Sequence, residues 1–421
     1  MSVSNKERTP NDNLETVERA GAGRIGFVPE LESLRGVGAL MVAAFHASAS
    51  STGGRYTLFT DPRGLTNPIW SALLWVDRYL PNPAGALNVF FVLSGFVLAS
   101  SIERGPAGIG PAARHFFIGR IFRIYPAAIS TILLFCVIFW TTGATIPGAM
   151  VQAYQPVNII RNMLLIDWFI NGVMWSLTVE ALAIPLIFVV TIGQQRLGGK
   201  FTLLVAVLLL APSIGRPYRY LIDHGGFVTF FYLFVVGIGT HRIGPRLIDW
   251  IGRRGLITWF IAAMLLLFFL PRSQLGDMSR WARFAECIAA AGLIAVLVYG
   301  PRPTRLSRVL NSPLFRFYGR ISYSFYLLHP ITLMVLWAIP AQLAGFLDAG
   351  VPAVLICLAL TIISITAITP LSWLSWRFIE IPGIAAGRRL SPDRRNASPY
   401  VGPRGRVVVA GVADPGAKQI R

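Results

Sequence analysis

The feature that most constrains this chain is its series of long, almost charge-free apolar runs, such as Phe201–Ala211 and Ile257–Leu270. A soluble domain cannot bury so many of them, whereas about 20 apolar residues in a helix cross a bilayer core. Composition agrees with a membrane setting. Apolar residues make up 54% of the chain and charged residues 14%, with mean hydropathy +0.60, against about 25% charged in soluble domains. The formal net charge of +19 then has two readings. A nucleic-acid binder gathers basic residues on one soluble face, and a polytopic membrane protein gathers them in cytoplasmic loops. The apolar runs decide for the membrane. They exclude a nucleic-acid partner and a disordered chain.

Ten spans are expected, at 34–52, 85–102, 125–142, 173–192, 200–213, 227–243, 256–270, 283–300, 321–343 and 351–374. The fifth is the shortest. Residues 1–29 are polar and hold no apolar signal-peptide core, so the first span is expected to act as an uncleaved membrane signal. No repeat of 20–50 residues implies a solenoid. With the N-terminus inside, the loops place 28 Lys and Arg on the cytoplasmic side against nine on the other. That bias favours an even number of spans and both termini cytoplasmic. The expected architecture is an all-α polytopic bundle of about ten transmembrane helices. Its parts are a cytoplasmic tail over 1–29, a transmembrane domain over 30–383 and a basic, disordered cytoplasmic tail over 384–421. Cys136, Cys287 and Cys357 all fall in apolar runs without metal-ligand spacing, so they read as buried thiols and no metal is expected.

Several polar groups stand out inside the apolar runs. Arg35 and His46 are eleven residues apart, which is about 16 Å and three turns plus 20° of helix, so they share a face. An ionisable residue within a span is a candidate functional group. His46 reads equally as a proton acceptor near neutral pH or as a hydrogen-bonding staple between helices. Glu32 stands three residues before Arg35 and is expected to pair with it or to form a solvated pair at the interface. Ser94–Gly95 interrupts an apolar helix, where small residues usually serve packing. No Gly-x-Ser-x-Gly elbow supports a serine hydrolase. Arg114, Arg120 and Arg123 precede Tyr125–Pro126 at the expected cytoplasmic entrance of the third span. They suit either ordinary positive-inside topology or a clamp for the phosphates of an anionic cosubstrate. Trp175–Ser176 leads to Glu180, expected in the outer half of the fourth span. A carboxylate there could fix a His tautomer as in a triad, or staple a neighbouring helix. Ser322, Tyr326 and His329 lie at i, i+4, i+7, a polar stripe beside Tyr323 that should face the bundle interior. Trp376–Pro382, with Glu380, reads as a helix end.

Taken in order, these segments resemble the acyltransferase-3 family of integral membrane acyltransferases over about residues 30–383. The likeness is carried by Glu32-Ser-Leu-Arg35-Gly…His46, Phe-Phe-Val-Leu-Ser94-Gly95-Phe, Arg120-x-x-Arg123-x-x-Pro126, Trp175-Ser176-Leu-x-x-Glu180, Ser322-Tyr323-Ser-x-Tyr326-Leu-x-His329 and Glu380-x-Pro382. Each motif is weak alone, and the ordered set is specific. Glu32 departs from the Asp that many members carry. The resemblance implies a ten-helix bundle in the inner (cytoplasmic) membrane. It implies transfer of an acyl group, usually acetyl, from cytosolic acyl-CoA to a hydroxyl of a sugar or surface glycan such as lipopolysaccharide. Acyl-CoA would be a cosubstrate, with no cofactor bound. His46 and Glu180 would be the catalytic pair, with His46 as base or transient acyl carrier. Arg35, Arg120, Arg123 and Arg114 would hold the donor, and Glu32, Ser94, Trp175, Ser176, Tyr323, Tyr326 and His329 would line the cavity. The rival reading is a transporter or flippase of a glycan or anionic substrate, which also uses interrupted helices and intramembrane charge. No inverted repeat relates the halves of this chain.

Overall fold

The structure is a computed structural model that describes residues 27–51, 68–146, 150–215, 224–276, 279–338 and 353–391. The residues outside these ranges include most of both tails, and so the disorder expected beyond residue 391 lies outside the described residues. Pro29–Arg394 forms one compact unit, whose described residues form helices joined by turns and irregular segments. In chain order the helices are α1 Pro29–Ser51, α2 Pro68–Tyr79, α3 Pro83–Glu103, α4 Ile109–Thr142, α5 Pro156–Met163, α6 Trp175–Leu197, α7 Gly199–Gly215 and α8 Phe231–Arg253. They continue with α9 Ile257–Leu275, α10 Arg280–Tyr299, α11 Arg305–Leu310, α12 Pro313–Leu328, α13 Pro330–Ala338, α14 Ala353–Ser375 and α15 Ile381–Leu390.

Seven helices are long and apolar enough to cross a membrane by length and composition, and Gly199–Ala211 is a shorter apolar helix. Of the ten expected spans, the first, fifth and ninth fall outside those seven. The first is α1, which is long enough but carries Glu30, Glu32, Arg35 and His46. The fifth is α7, with 17 residues. The ninth divides into α12, with 16 residues, and α13, with nine, at the His329–Pro330 step. Among the described residues, α1 and α12 make the most extensive helix pair. The polar residues that lower their hydropathy face each other rather than lipid. Lipid-facing surfaces lie elsewhere, on exposed side chains such as Leu133, Val137, Leu204, Leu208, Ile362 and Ile363.

Two expected boundaries move. The third span was expected to begin at residue 125, but α4 begins at Ile109 and runs 34 residues, about 51 Å. Its end is set by Gly143, whose left-handed φ of 71° closes the last turn through a backbone bond to Phe139. At the other end of the chain, a π turn over Trp376–Glu380 joins α14 to α15, and α15 continues to Leu390. The tail expected from residue 384 is therefore helical over its first seven residues.

The connection between α4 and α6 lies between the third and fourth expected spans. It folds back along α4. Tyr154 stacks on Phe139 with ring centroids 4.0 Å apart, near the end of α4. Leu164, at the far end of α5, takes a 3.5 Å bond from the Tyr125 hydroxyl, and Tyr125 lies about four turns before Phe139 on the same helix. The chain reverses at Leu165, whose φ is 59°, with Arg161 and Asp167 paired at 2.6 Å across the turn. Asn171, fully buried, then bonds the Leu327 carbonyl at 2.9 Å. As a result α6 starts deep in the bundle. Backbone at that depth is tolerated only where protein satisfies it.

Close helix crossings set the core. A Cβ on Gly36 would lie 2.4 Å from the Gly319 nitrogen, and one on Gly319 would lie 2.7 Å from the Glu32 carbonyl oxygen. The α3–α8 crossing is as tight, since a Cβ on Gly95 would sit 2.0 Å from the Phe234 carbonyl oxygen. A buried polar knot holds α3 to α9 and α10. Glu286 receives Arg272 at 2.8 and 2.5 Å, Asn82 at 2.8 Å and Asn88 at 2.7 Å. Four donors on one carboxylate offset the cost of removing its charge from water. Asn82 also caps α3 by accepting from the Gly85 nitrogen at 2.8 Å.

Gly95→Ala and Gly319→Ala should each cost about 1–3 kcal/mol through overpacking against backbone, read as a lower Tm of the detergent-solubilised protein. Gly119→Ala, where a Cβ meets nothing within 4 Å, should instead hold or raise Tm, because Ala is the better helix former.

Candidate active site

Five helices converge on one cavity of about 110 Å³. Arg35 enters from α1, Ser94 from α3, Arg120 and Arg123 from α4, Ser176 and Glu180 from α6, and Ser322, Tyr323 and Tyr326 from α12. The rest of the wall is apolar, including Leu87, Phe90 and Phe91. Helical spacing explains who reaches it. Arg120 and Arg123 differ by 300° of rotation, so they share a face, whereas Arg114 lies six residues before Arg120 and is turned well away. Arg114 is exposed and does not line the cavity.

Hydrogen bonds fix most of the lining. The Ser94 hydroxyl donates to Glu180 Oε1 at 2.9 Å. Tyr323 donates to the Ile124 carbonyl at 2.7 Å. Tyr326 Oη donates to the Val173 carbonyl at 3.0 Å and lies 2.8 Å from Ser176 Oγ. Arg123 Nη2 lies 3.2 Å from Glu380 Oε1, whose other oxygen accepts from Ser324 at 3.0 Å. Among the described residues Arg35 and Arg120 have no carboxylate within 4 Å. Glu180 is near enough to act electrostatically on both. The cavity therefore presents two guanidinium groups that are not locked into an ion pair.

A histidine pair stands just beyond the cavity at the Tyr326 end. His46 Nδ1 lies 3.0 Å from His329 Nε2, and the two rings are nearly parallel, with centroids 5.3 Å apart. His329 Nδ1 lies 2.7 Å from the Tyr326 carbonyl oxygen. The shared face expected for Arg35 and His46 is thus the face that α1 turns to α12. The two residues sit at separate levels, one on the cavity and one beside it.

Several expected placements change. Glu32 pairs with Arg316 at 3.0 Å, because the α1–α12 crossing brings that arginine alongside, and it does not line the cavity. Trp175 points into an aromatic cluster with Phe91, Phe227 and Phe230, while its neighbour Ser176 reaches the cavity. His329 pairs with His46 rather than lining the wall. Glu180 does not orient His46, since its hydrogen bond goes to Ser94. It faces the cavity arginines because α6 starts deep in the bundle. Arg120 and Arg123 lie three turns or more inside α4 rather than at its entrance.

Glu286, inside the expected eighth span, and Arg272, between the expected seventh and eighth, are further charged groups of the interior. Both are buried, at 0% and 6% exposure. A carboxylate inside an apolar run was signal enough for Glu286. Glu380, which reads locally as a helix end and belongs to the motif set of the family resemblance, is 2% exposed and anchors Arg123. No local pattern marks that role, which the π turn over 376–380 creates by turning the residue inward. Such turns often mark functional sites. Among the described residues, no group of three or more His, Cys, Asp or Glu is placed to hold a metal ion.

Comparison with family models finds an acyltransferase domain over residues 28–373. Comparison with curated proteins and with solved structures finds no significant match.

Removing Glu380 should leave Arg123 without its carboxylate next to a buried serine. Glu380→Ala is expected to destabilise the protein by about 3 kcal/mol, the low end for a broken buried pair, because the Arg123 side chain is 28% exposed. Glu380→Gln, which still accepts from Ser324 and Arg123, should lose clearly less. Thermal unfolding of the two variants side by side checks the order.

Proposed function

The chain belongs to the acyltransferase-3 family of membrane acyltransferases, and from that premise we propose that it moves a small acyl group, acetyl in the simplest case, from cytosolic acyl-CoA to a sugar or surface-glycan hydroxyl. The observation that carries this reading is the pairing of a partly apolar cavity, holding two uncommitted arginines, with an imidazole one side chain away. The cavity of about 110 Å³ is well below the several hundred Å³ that enclose a drug-sized ligand. It suits the reacting end of a thioester rather than a whole coenzyme. Arg35 and Arg120 supply the cationic contacts for the anionic donor. Arg123, engaged by Glu380, is better placed to hold the shape of the site. Both termini lie on the cytoplasmic side of the inner membrane in this reading, and the bundle completes about ten crossings when α1, α7 and α12–α13 join the seven long apolar helices.

In the chemical step, His46 accepts the proton of the acceptor hydroxyl as its oxygen attacks the thioester carbonyl carbon. The C–S bond breaks, the thiolate of CoA leaves, and the imidazolium returns the proton to it. Ester, free thiol and neutral His46 result. The arginines line the same cavity and stabilise developing negative charge there, where exclusion of water strengthens each contact. Glu180, held by Ser94, offsets part of the arginine charge and keeps the site from trapping its anionic product.

His46→Ala should lower transfer from radiolabelled acetyl-CoA by about 100-fold or more, the usual scale of general-base catalysis, while the protein still inserts. Arg35→Ala and Arg120→Ala should raise KM for the donor about tenfold or more, since a hydrogen bond to a charged group is worth about 1.5–3 kcal/mol. Full activity in a stably inserted His46→Ala protein would sink the reading. Mass spectrometry of surface glycans from a deletion strain, by the loss of a defined acyl mass, would name donor group and acceptor sugar together.

A further inference from the structure

We propose that His329 is a positioning residue. It holds His46 as the tautomer protonated on Nδ1, so that Nε2 is the bare nitrogen that takes the acceptor's proton. The inference rests on the acyl-transfer reading for its consequence, but its structural content stands on geometry alone.

The chain of cause begins at Pro330. Proline has no backbone N–H, so the carbonyl four residues earlier loses its helical donor. That carbonyl belongs to Tyr326. The backbone N–H of His329 cannot replace it, because it bonds the Phe325 carbonyl at 3.0 Å. The His329 ring does so instead, with Nδ1 at 2.7 Å from the Tyr326 oxygen. A carbonyl oxygen only accepts hydrogen bonds, so His329 Nδ1 must carry hydrogen. A second proton on this ring would leave a cation at 1% exposure with no carboxylate bonded to it among the described residues, a costly arrangement. The ring is therefore neutral and its Nε2 is an acceptor. His46 Nδ1 lies 3.0 Å from that acceptor and must donate to it. The remaining nitrogen of His46, Nε2, has no hydrogen and no bonding partner among the described residues.

A Pro–carbonyl–imidazole–imidazole relay thus does for His46 what a carboxylate does in a hydrolase triad, namely selecting tautomer and ring direction. It differs in one respect. The orienting group is neutral, so it brings no compensating charge into an apolar stretch of the bundle. It also frees Glu180 for the cavity arginines. Leu333 and Leu336 from α13, packed beside Ala47, keep α1 and the His329–Pro330 corner in register.

The test uses the full-length protein, labelled with 15N-histidine and held in lipid nanodiscs, with His46 assigned by comparison with His46→Gln. Nitrogen chemical shifts should show His46 protonated on Nδ1 and bare on Nε2 in the wild type. The same tautomer should persist in His329→Gln, whose amide can donate to Tyr326 and accept from His46, and should give way to a mixture in His329→Ala. In parallel, thiol release from acetyl-CoA should fall about 100-fold in kcat for His329→Ala with KM unchanged, and His329→Gln should recover to within about tenfold of wild type. Finding His46 protonated on Nε2 in the wild type, or an unchanged tautomer in His329→Ala, overturns the proposal. The wild-type spectrum decides even where His329→Ala does not fold. A wild type that shows the expected tautomer but releases no thiol would uphold the positioning role and overturn the acyl-transfer reading instead.

Discussion

The backbone crossing of α1 and α12 is the contact on which the rest of the molecule depends. At Gly36 and Gly319 the two helices approach so closely that neither position has room for a Cβ. Van der Waals contact of this kind drives helix association where lipid removes the hydrophobic incentive. Because the crossing is tight, everything along the two facing stripes is brought within reach. Arg35 meets the level of Ser322 and Tyr323, Glu32 meets Arg316, and eleven residues further along His46 meets His329. Two helices that look too polar to be membrane helices become acceptable in the membrane by presenting their polar residues to each other.

Around that seam the polar groups divide into three satisfied sets and one unsatisfied one. Glu286 is saturated by Arg272, Asn82 and Asn88, which ties α3 to α9 and α10. Glu380 is shared by Arg123 and Ser324, which ties α12 and the π turn to α4. The histidine pair ends on a carbonyl that Pro330 has released. Among the described residues, Arg35 and Arg120 stand in the cavity with no carboxylate within 4 Å. Two guanidinium groups left open beside a small, partly apolar cavity have the form of a binding site for an anion. A histidine pair, His46 and His329, stands just beyond it.

Much of this was legible in the sequence. The apolar runs forced a membrane bundle, and the eleven-residue spacing forced Arg35 and His46 onto one face, because both follow from helix geometry that tertiary structure does not alter. The ordered motifs pointed to the family, and Ser94, Ser176, Tyr323 and Tyr326 do line the cavity with Arg35, Arg120, Arg123 and Glu180. What hydropathy could not show was the length of α4, because its first four turns are polar enough to look like a loop. Nor could it show the fold-back over 150–171, whose apolar residues are interrupted by polar ones such as Asn158, Arg161 and Asp167 and form no continuous run of span length. That fold-back is the reason Glu180 lies at the level of the arginines rather than in an outer layer.

The periodicity and polarity of each segment, acting through bonds no more than a turn or two apart, dictate that this chain is a helical membrane protein and which side chains share a helix face. They also dictate the broken corner at His329–Pro330, since the missing N–H is a property of the residue. Which carboxylate meets which arginine is another matter. Glu32 could reach Arg35 or Arg316, and Glu180 could reach an imidazole or Ser94, with nothing local to choose between them. Those partners are chosen by how deeply each helix is set and how closely it crosses its neighbours. That is a consequence of packing residues far apart in the chain, such as Gly36 against Gly319, and it exists only once the bundle has closed.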